Sequence, residues 1–413
     1  MRLPPLEEAS AREAGGKAWS LGRLARDGFP VPPGFVVPSS LFARALEGGV
    51  APPQTSEEDG SRREPELRPD PALRGVLARA LADLPGGVDA PVAVRSSATD
   101  EDGASTSFAG QHDSVLGVSG PQAVEAAVLR CWASWFSARA LAYRGGAPAA
   151  GGMAVLVQSF VDADASGVLF TGGVRMLEAV HGLGEGHVSG QITPEAWWLE
   201  GDGIRAHRRG TARSRSVRRG NGVRHEDLPV ELQERAVLTR AQVLRIDGLG
   251  REVEANLGLP VDLEWSLVAD GLHLLQARPV TASPPTAPAE EPVEEPVGEQ
   301  GPHARLTGIA ASGGAATGSV RHVRSTADFS RVHPGDILVA RATDPAWTPL
   351  FGVVAAVVTE TGGALSHAAI VAREVGIPAV LAVPGALEHL VEGTEVQVDG
   401  ARGTVTPCAG EMR

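Results

Sequence analysis

One histidine stands where a glycine loop meets a predicted helix, in the stretch VVAAVVTETGGALSHAAIVAREVGIPAV. The β-branched run Val353–Val358 predicts a short buried strand, and the segment from His367 has helix-forming composition until Gly376. His367 should therefore begin a helix, where free backbone N–H groups and the helix dipole stabilise an anion. A phosphoryl group on the imidazole would be such an anion. Gly362 and Gly363 would let backbone and substrate come close to the ring.

The segment GGALSHAAIVAREVGIPAV resembles the phosphohistidine swivelling domain of phosphoenolpyruvate synthase, pyruvate phosphate dikinase and rifampicin phosphotransferase. The flanking segments 335–339 (GDILV) and 343–350 (TDPAWTPL) are similar to the family's segments that lead into the same site. The resemblance implies that His367 carries the phosphoryl group. It further implies that ATP gives a pyrophosphoryl group to this histidine, that the γ-phosphate leaves to water or phosphate, and that the β-phosphoryl group passes to an acceptor.

A lysine near the start of the chain is a candidate for binding phosphate. Gly15 and Gly16 precede Lys17, an arrangement that can place an ammonium group against phosphate. The motif is not a P-loop, because Ala11 stands where the first P-loop glycine belongs and Ala18 replaces the magnesium-binding Ser or Thr. By itself the motif is typical of a surface turn. Coupled to VPPGFVV, it resembles the opening of the family's ATP-binding domain, which implies that Lys17 binds the ATP phosphates.

Arg95 lies in VAVRSSATDED, where a predicted strand delivers a guanidinium group into a Ser/Ser/Thr loop. The guanidinium fork makes charge-assisted paired hydrogen bonds with phosphate. The alternative is a surface arginine at a strand end. VAVRSSATDED, followed by SFAGQ, resembles the family's signature, which implies that Arg95 is a nucleotide-phosphate ligand. Farther on, residues 153–170 predict two strands around an acidic turn. In the family this region borders the adenine, which makes Gln158 an ATP-binding candidate.

A predicted hairpin supplies the candidate metal ligands. Residues 262–278 alternate as two strands around the loop Ala-Asp-Gly, whose glycine is expected in the left-handed conformation. Glu264 then faces Gln276, and Arg278 lies opposite Asp262. A carboxylate and an amide oxygen suit Mg²⁺, and an arginine completes a phosphate clamp. The alternative is an ordinary hairpin with a salt bridge. DLEWSLVADGLHLLQARPVT resembles the end of the family's ATP-grasp domain, which implies that Glu264 and Gln276 bind metal and ATP and that Arg278 binds phosphate.

Three further segments bear on the organisation of the chain. Apolar residues at helical spacing in 123–144 predict a helix whose aromatic residues pack in the core, namely Trp132, Trp135, Phe136 and Tyr143. After Thr171 the sequence departs from the family, which has Asp-Pro where this chain has Gly-Gly-Val. The densely basic residues 205–224 are typical of a solvated hairpin or loop; the alternative is a nucleic-acid patch, which the lack of interleaved aromatic residues disfavours.

Composition limits the possible classes of protein. The chain has 413 residues, a net charge of −13 and 43% hydrophobic residues, which favours two or three folded domains and disfavours binding to nucleic acid or to an anionic membrane. Its 2 cysteines give neither a disulfide framework nor a cysteine zinc site. The N-terminus lacks an apolar signal region, and no apolar run approaches membrane-spanning length. We therefore expect a cytoplasmic protein.

These observations predict a multidomain fold of the α/β and α+β classes. An ATP-grasp nucleotide-binding domain over residues 1–281 is followed by a Pro/Glu-rich linker, 282–303, and by a small swivelling β/α phosphohistidine domain, 304–413. A proline-rich linker of roughly twenty residues at about 3.1 Å per residue can carry a small domain over about 60 Å.

The predicted function is that of an ATP-dependent dikinase-type phosphotransferase with Mg²⁺ as cofactor and ATP as substrate. The acceptor-binding domain of the family's longer members is not found, so the acceptor is expected to be a small molecule or one bound on a separate partner protein. Two alternatives stay open. In the first, the chain is a self-phosphorylating carrier subunit of a split phosphoenolpyruvate synthase-like system. In the second, it is a degenerate nucleotide-binding regulator, and the altered segment after Thr171 would favour this alternative.

Overall fold

The computed structural model describes residues 1–47, 67, 70–99, 113–137, 140, 151–281, 284–285 and 305–408. The chain forms two compact units. The first comprises Met1–Asp164, Ser216–His225 and Asp262–Pro279, and the second comprises Ala165–Arg215, Glu226–Val261 and Val280–Arg413. The predicted linker, 282–303, lies outside the described residues except for 284–285, and the predicted domain bounds stay predictions.

Helices and strands alternate along the described chain. The α-helices are α1 Ala11–Arg26, α2 Ser39–Glu47, α3 Leu73–Ala82, α4 Pro121–Ala133, α5 Glu185–Val188, α6 Val230–Gln233, α7 Arg240–Leu257, α8 Thr348–Phe351, α9 His367–Val375 and α10 Ala386–His389. The strands are β1 Gly34–Val37, β2 Val92–Ala98, β3 Ser114–Val118, β4 Met153–Ser159, β5 Ala165–Phe170, β6 Arg175–His181, β7 Glu195–Glu200, β8 Gly203–Arg208, β9 Ser214–Arg218, β10 Val223–Asp227, β11 Val261–Val268, β12 Gly271–Pro279, β13 Leu306–Thr307, β14 Ile309–Ser312, β15 Ala315–His322, β16 Ile337–Ala340, β17 Ala356–Thr359, β18 Ala379–Leu381, β19 Glu395–Asp399 and β20 Thr404–Pro407. The mixed α/β character predicted from the sequence is confirmed.

The first unit is built on an antiparallel sheet with the strand order β1-β4-β2-β3. Its inner strands, β2 and β4, are largely buried on both faces. Phe42 packs against Trp132 and Trp135, with ring centroids 6.0 and 5.9 Å apart, and both indoles are buried. The predicted core role of these two aromatic residues is therefore confirmed.

The predicted helix over 123–144 does not run unbroken. Helix α4 begins at Pro121 and ends at Ala133, and a 3-10 turn follows over Ser134–Phe136. The Ser134 hydroxyl donates to the Cys131 carbonyl at 2.7 Å, a local bond by which serine competes with continued helix. Tyr143 lies outside the described residues.

The hairpin of β11 and β12 differs from the prediction at its turn. Strand β12 already begins at Gly271, so the turn has two residues, and the left-handed position falls on Ala269, with φ 48°. Two-residue hairpins need positive φ at a central turn position because this matches the right-handed twist of the strands. The Ala269 N–H donates to Asp164 Oδ2 at 2.8 Å, which stabilises this conformation.

The second unit contains the antiparallel run β5-β6-β7-β8 and a sheet with the order β13-β20-β19-β15-β16-β17-β18-β14. Strands β15 to β18 are parallel neighbours in this sheet. A continuous apolar core joins side chains of β5, β6 and β7 to α9 and to the sheet that carries it. The loop before α9 therefore has a fixed neighbour in β6.

The predicted strand Val353–Val358 forms, but it begins later, at Ala356. The amides of Val353 and Val354 both donate to the Leu350 carbonyl, at 2.9 and 3.0 Å. These bonds complete the C-terminal end of α8, so the first two valines of the run belong to that helix end.

The basic segment 205–224 contributes the end of β8 and the paired strands β9 and β10. Many of its arginines face carboxylates, as in the pairs Arg205 with Glu200 at 3.0 Å and Arg215 with Glu226 at 2.8 Å. This charge pairing supports the interpretation as a solvated ribbon. Among the described residues, no helix has the length and hydropathy needed to cross a membrane.

Candidate functional site

His367 begins helix α9, as the sequence predicts. Ser366 is the N-cap residue, and Gly376 ends the helix in the left-handed conformation. The histidine is only 3% exposed. Its Nε2 atom lies 3.3 Å from the Thr348 hydroxyl, and that hydroxyl donates to the Pro345 carbonyl at 2.8 Å. The contact fixes the orientation of the imidazole ring, which this conformation shields from solvent.

The loop before His367 is held by a buried glutamate of β6. The two oxygens of Glu178 accept hydrogen bonds from the amides of Ala364, at 2.8 Å, and Leu365, at 3.1 Å. A Cβ atom on Gly363 would lie 2.4 Å from Glu178 Oε2. Glycine at this position therefore makes room for the carboxylate. We predicted from the sequence that it makes room for the substrate, and the structure supplies a different reason.

Lys17 lies on α1, which is seated against the end of β2. Gly15 interrupts the helix with φ 71°, and a Cβ atom there would lie 2.0 Å from the Ser97 carbonyl oxygen. Lys17 is buried, and its Nζ donates to the Ser96 carbonyl at 3.0 Å. The amide of Ala18 donates to Ser97 Oγ at 3.0 Å. The glycine motif thus allows close contact between α1 and β2 and is not a surface turn.

Arg95 joins β2 to the hairpin of β11 and β12. Its Nη1 donates to the Leu275 carbonyl at 2.5 Å, and its Nη2 lies 3.4 Å from Glu264 Oε2. The side chains of Arg95 and Glu264 are 13% and 21% exposed. The two groups are therefore in contact with each other and with solvent.

Arg278 pairs with Asp262, as predicted, with its Nε 2.8 Å and its Nη2 2.7 Å from Asp262 Oδ2. This ion pair also matches the simpler hypothesis of a hairpin with a salt bridge. The Ser20 hydroxyl of α1 donates to the Ala277 carbonyl at 2.7 Å, which ties the helix of Lys17 to β12. Contacts among α1, β2, β11 and β12 thus connect the segments that carry five predicted site residues. We term these five residues the nucleotide cluster: Lys17, Arg95, Glu264, Gln276 and Arg278.

Two predicted site residues lie apart from these contacts. Gln158 is buried in β4, and its Nε2 donates to the Pro32 carbonyl at 3.1 Å. His367 belongs to the second compact unit, whereas the nucleotide cluster belongs to the first.

The donor atoms predicted for a metal fit a hard divalent cation. Glu264 offers a carboxylate whose Oε2 lies 3.4 Å from Arg95 Nη2, a long contact for an ion pair. Gln276 offers a side-chain amide that is 7% exposed. Carboxylate and amide oxygens are ligands that Mg²⁺ accepts alongside water and phosphate oxygens. Among the described residues no group of three or more His, Cys, Asp or Glu side chains forms a metal site, so the protein would supply only part of the coordination.

Comparison with known families matches two segments of the chain. Residues 69–298 match the family described as pyruvate phosphate dikinase, AMP/ATP-binding domain, and this segment covers more than half of the chain. The chain belongs to the pyruvate phosphate dikinase family. Residues 332–403 match the PEP-utilising enzyme, mobile domain. Among the predicted site residues of this dikinase-family chain, Lys17 alone falls outside the two matched segments.

Curated relatives of this dikinase-family chain are named phosphoenolpyruvate synthase. The probable enzyme of Methanothermobacter thermautotrophicus is 34% identical over 423 residues, covering 95% of this chain and 61% of the relative. The Pyrococcus furiosus enzyme is 32% identical over 468 residues, covering 95% and 56%. The Escherichia coli K12 enzyme is 34% identical over 370 residues, covering 82% and 45%. The chain thus spans about half of the length of these relatives.

Sequence analysis of this dikinase-family chain missed Glu178. The residue stands in RMLEAVH, an apolar strand sequence in which an acidic side chain at a buried position is unusual. Burial by itself would raise the pKa of Glu178, but the hydrogen bond and charge of His187, the charge of Arg208 and the Leu365 amide outweigh it and leave the pKa lowered. The position of a glutamate within such an apolar strand indicates that its carboxylate has hydrogen-bonding or charged partners in the fold.

Proposed function

We propose that this chain is an ATP-dependent phosphotransferase that forms a phosphohistidine at His367. The observation that carries the proposal is the position of His367 at the first residue of α9, after a glycine loop, inside the segment that matches the PEP-utilising mobile domain. The N-terminus of a nine-residue helix stabilises an anionic group at that position.

The reaction takes place in two displacements before the acceptor is reached. An imidazole nitrogen attacks the β-phosphorus of ATP, the bond from that phosphorus to the α–β bridging oxygen breaks, and AMP leaves. Water or inorganic phosphate then takes the γ-phosphoryl group, which leaves the β-phosphoryl group on His367. A covalent intermediate of this kind lets one mobile group visit two sites in turn.

The nucleotide cluster would bind the phosphates of ATP. Lys17, Arg95 and Arg278 supply cations that offset the charge of the phosphate oxygens. Gln158 would lie on the adenine side. Glu264 and Gln276 would hold Mg²⁺, which neutralises phosphate charge when it is bound.

We further propose that the acceptor of the phosphoryl group is pyruvate or a related small carboxylate, either free or bound on a partner protein. The names of the curated relatives support this acceptor. A phosphohistidine is labile, so a pocket that excludes water during transfer is expected wherever the acceptor binds.

Burst kinetics test the proposal. Purified protein with Mg²⁺ and ATP, but without acceptor, should form close to one AMP per chain, release the γ-phosphoryl group as phosphate or, with added phosphate, as pyrophosphate, and then stop. The His367→Ala variant should give no burst, whereas His389→Ala, which alters an exposed histidine of α10, should give the wild-type burst. ADP as the nucleotide product, or an equal burst from His367→Ala, would overturn the proposal.

The same assay separates the two alternatives. A carrier subunit gives the burst but turns over only when cell extract is added, and pyruvate alone has no effect. A degenerate nucleotide-binding regulator binds ATP and gives no burst. An enzyme that uses free pyruvate turns over in the purified state.

A further inference from the structure

Glu178 provides both acceptors for the amides of the His367 loop. Its Oε1 receives the Ala364 N–H at 2.8 Å and its Oε2 receives the Leu365 N–H at 3.1 Å. The two donors stand three and two residues before His367. One carboxylate of β6 therefore holds two consecutive amides of the loop.

This carboxylate is charged and fully buried. Glu178 is 0% exposed, and its Oε2 lies 2.8 Å from His187 Nε2, while Arg208 Nη2 lies 3.7 Å from its Oε1. Because a carboxylate only accepts hydrogen bonds, His187 must donate from Nε2. Two amides, an imidazole N–H and a guanidinium group surround Glu178. These groups offset the charge of the carboxylate as long as the loop itself carries no negative charge.

Phosphorylation changes the charge of that loop. A phosphoryl group on His367 adds about −1.5 to −2 charges at neutral pH, on the model of other phosphorylated side chains. The Cα atoms of Leu365 and His367 are at most about 7.6 Å apart, since each trans peptide spans about 3.8 Å. Glu178 binds amides three and two residues before His367, so a phosphoryl group there adds a second anion to the loop that this carboxylate holds, and the two anions repel because screening is weak in the protein interior.

We propose that Glu178 is a positioning residue that holds the unphosphorylated His367 loop on β6 and releases it when His367 carries a phosphoryl group. This inference rests on the proposed function and adds a mechanism for moving the group. In the held state His367 is 3% exposed, so a phosphoryl donor reaches it only after the loop moves. Repulsion between Glu178 and the phosphoryl group then keeps the charged loop from returning. The coupling is reciprocal. Phosphorylation of His367 weakens the contact between the loop and Glu178, and that contact disfavours phosphorylation by the same factor.

Hydrogen exchange at the Ala364 and Leu365 amides tests the proposal without any need for ATP chemistry. His367→Glu places an anion on the loop, and His367→Gln is its neutral counterpart of equal size. We expect exchange to be about tenfold or more faster in His367→Glu than in His367→Gln, within the usual range of coupling between sites. Adding Glu178→Gln to both should remove most of that difference, which is the double-mutant signature of a direct charge interaction.

The matched control is Glu195→Gln. Glu195 is likewise a buried glutamate of the second unit, and it accepts from His207 Nε2 at 2.6 Å and from the Val237 amide at 2.7 Å. Its substitution should leave the difference between His367→Glu and His367→Gln unchanged. Equal exchange in those two variants, or a difference that persists with Glu178→Gln, would overturn the proposal.

The unsubstituted chain provides a second measurement in case a variant does not fold. Phosphoramidate, a chemical donor that phosphorylates histidine without ATP, should speed exchange at the Ala364 and Leu365 amides once His367 is modified. Unchanged exchange after complete modification would also overturn the proposal. Release by phosphoramidate but not by ATP would mean that the loop mechanism is right and the proposed ATP reaction is wrong.

Discussion

The nucleotide cluster and the His367 loop are positioned in opposite ways. The cluster collects charged side chains from α1, β2 and a distant hairpin, and Arg95 and Glu264 at its centre remain 13% and 21% exposed. The loop is one continuous segment whose amides are held by an internal anion, and its histidine is 3% exposed. The cluster thus keeps the Arg95–Glu264 pair in contact with solvent while its other members are buried, whereas the histidine proposed to form a labile bond is kept from water.

The largest effect is expected from removing an accessible charge of the cluster. Arg95→Ala loses the contacts with the Leu275 carbonyl and with Glu264, and it should slow AMP formation by roughly 10²-fold or more, the usual cost of one group that stabilises transition-state charge. Arg205→Ala, which breaks an exposed ion pair with Glu200, should change the rate by less than about twofold. Wild-type activity in a folded Arg95→Ala variant would show that the partly exposed Arg95 does not bind the nucleotide, which contradicts this comparison.

A substitution in the buried loop should act on stability first. Gly363→Ala places a Cβ atom 2.4 Å from Glu178 Oε2, so the loop must move, at a cost of about 1 to 3 kcal/mol in the free energy of unfolding. Gly352→Ala is the control, because its nearest neighbour would be 3.8 Å away. Denaturant unfolding of both variants measures the difference. Equal stability would mean that the loop is not tightly held.

Acid should weaken the contact between Glu178 and the loop. The pKa of Glu178 lies below its ordinary value of 4.5, so the stabilisation that its charge provides is fully present above pH 4.5 and is lost as the pH falls through the lowered pKa. The groups facing it are His187 of α5, Arg208 of β8 and the two loop amides. The difference in unfolding free energy between wild type and Glu178→Gln should therefore shrink as the pH falls below 4.5. A difference that grows on acidification contradicts this account.

The smallest effect concerns two alanines with positive φ, one in each unit. Ala269 and Ala382 have φ 48° and 53°, a region that costs a residue with a Cβ atom about 1 kcal/mol. Substituting glycine at either position should raise the free energy of unfolding by about 0.5 to 1 kcal/mol. Ala133→Gly, at the helical φ of −62°, should instead lower it by up to about 1 kcal/mol. Thermal or denaturant unfolding of the three variants checks both signs.

Local pattern was sufficient to predict the position of His367, because the strand, glycine loop, helix start and glycine stop all lie in one short segment. The ion pair of Arg278 with Asp262 followed in the same way from the alternation of a hairpin. The start of β17 was missed because Val353 and Val354 close the end of α8, an effect of a neighbouring helix that strand periodicity does not show.

Contacts between segments that are distant in the sequence could not be predicted from local sequence patterns. Glu178 lies 186 positions before Ala364, and its role depends on the fold that brings β6 to the loop. Arg95 was identified through its motif, but its contact with Glu264 joins residues 169 positions apart. The left-handed residue of the β11–β12 turn was assigned to Gly271 because glycine usually occupies that position, whereas the strand register places it on Ala269.

The position of isotopic label on His367 tests the central claim most directly. The protein is incubated with Mg²⁺ and ATP labelled in either the β- or the γ-phosphate, and the peptide that contains His367 is isolated under basic conditions, where phosphohistidine survives. The account predicts that label from the β position is retained on this peptide, that label from the γ position leaves as phosphate or, with added phosphate, as pyrophosphate, and that His367→Ala retains neither. Stable γ-label on the peptide, with ADP as the product, would contradict it.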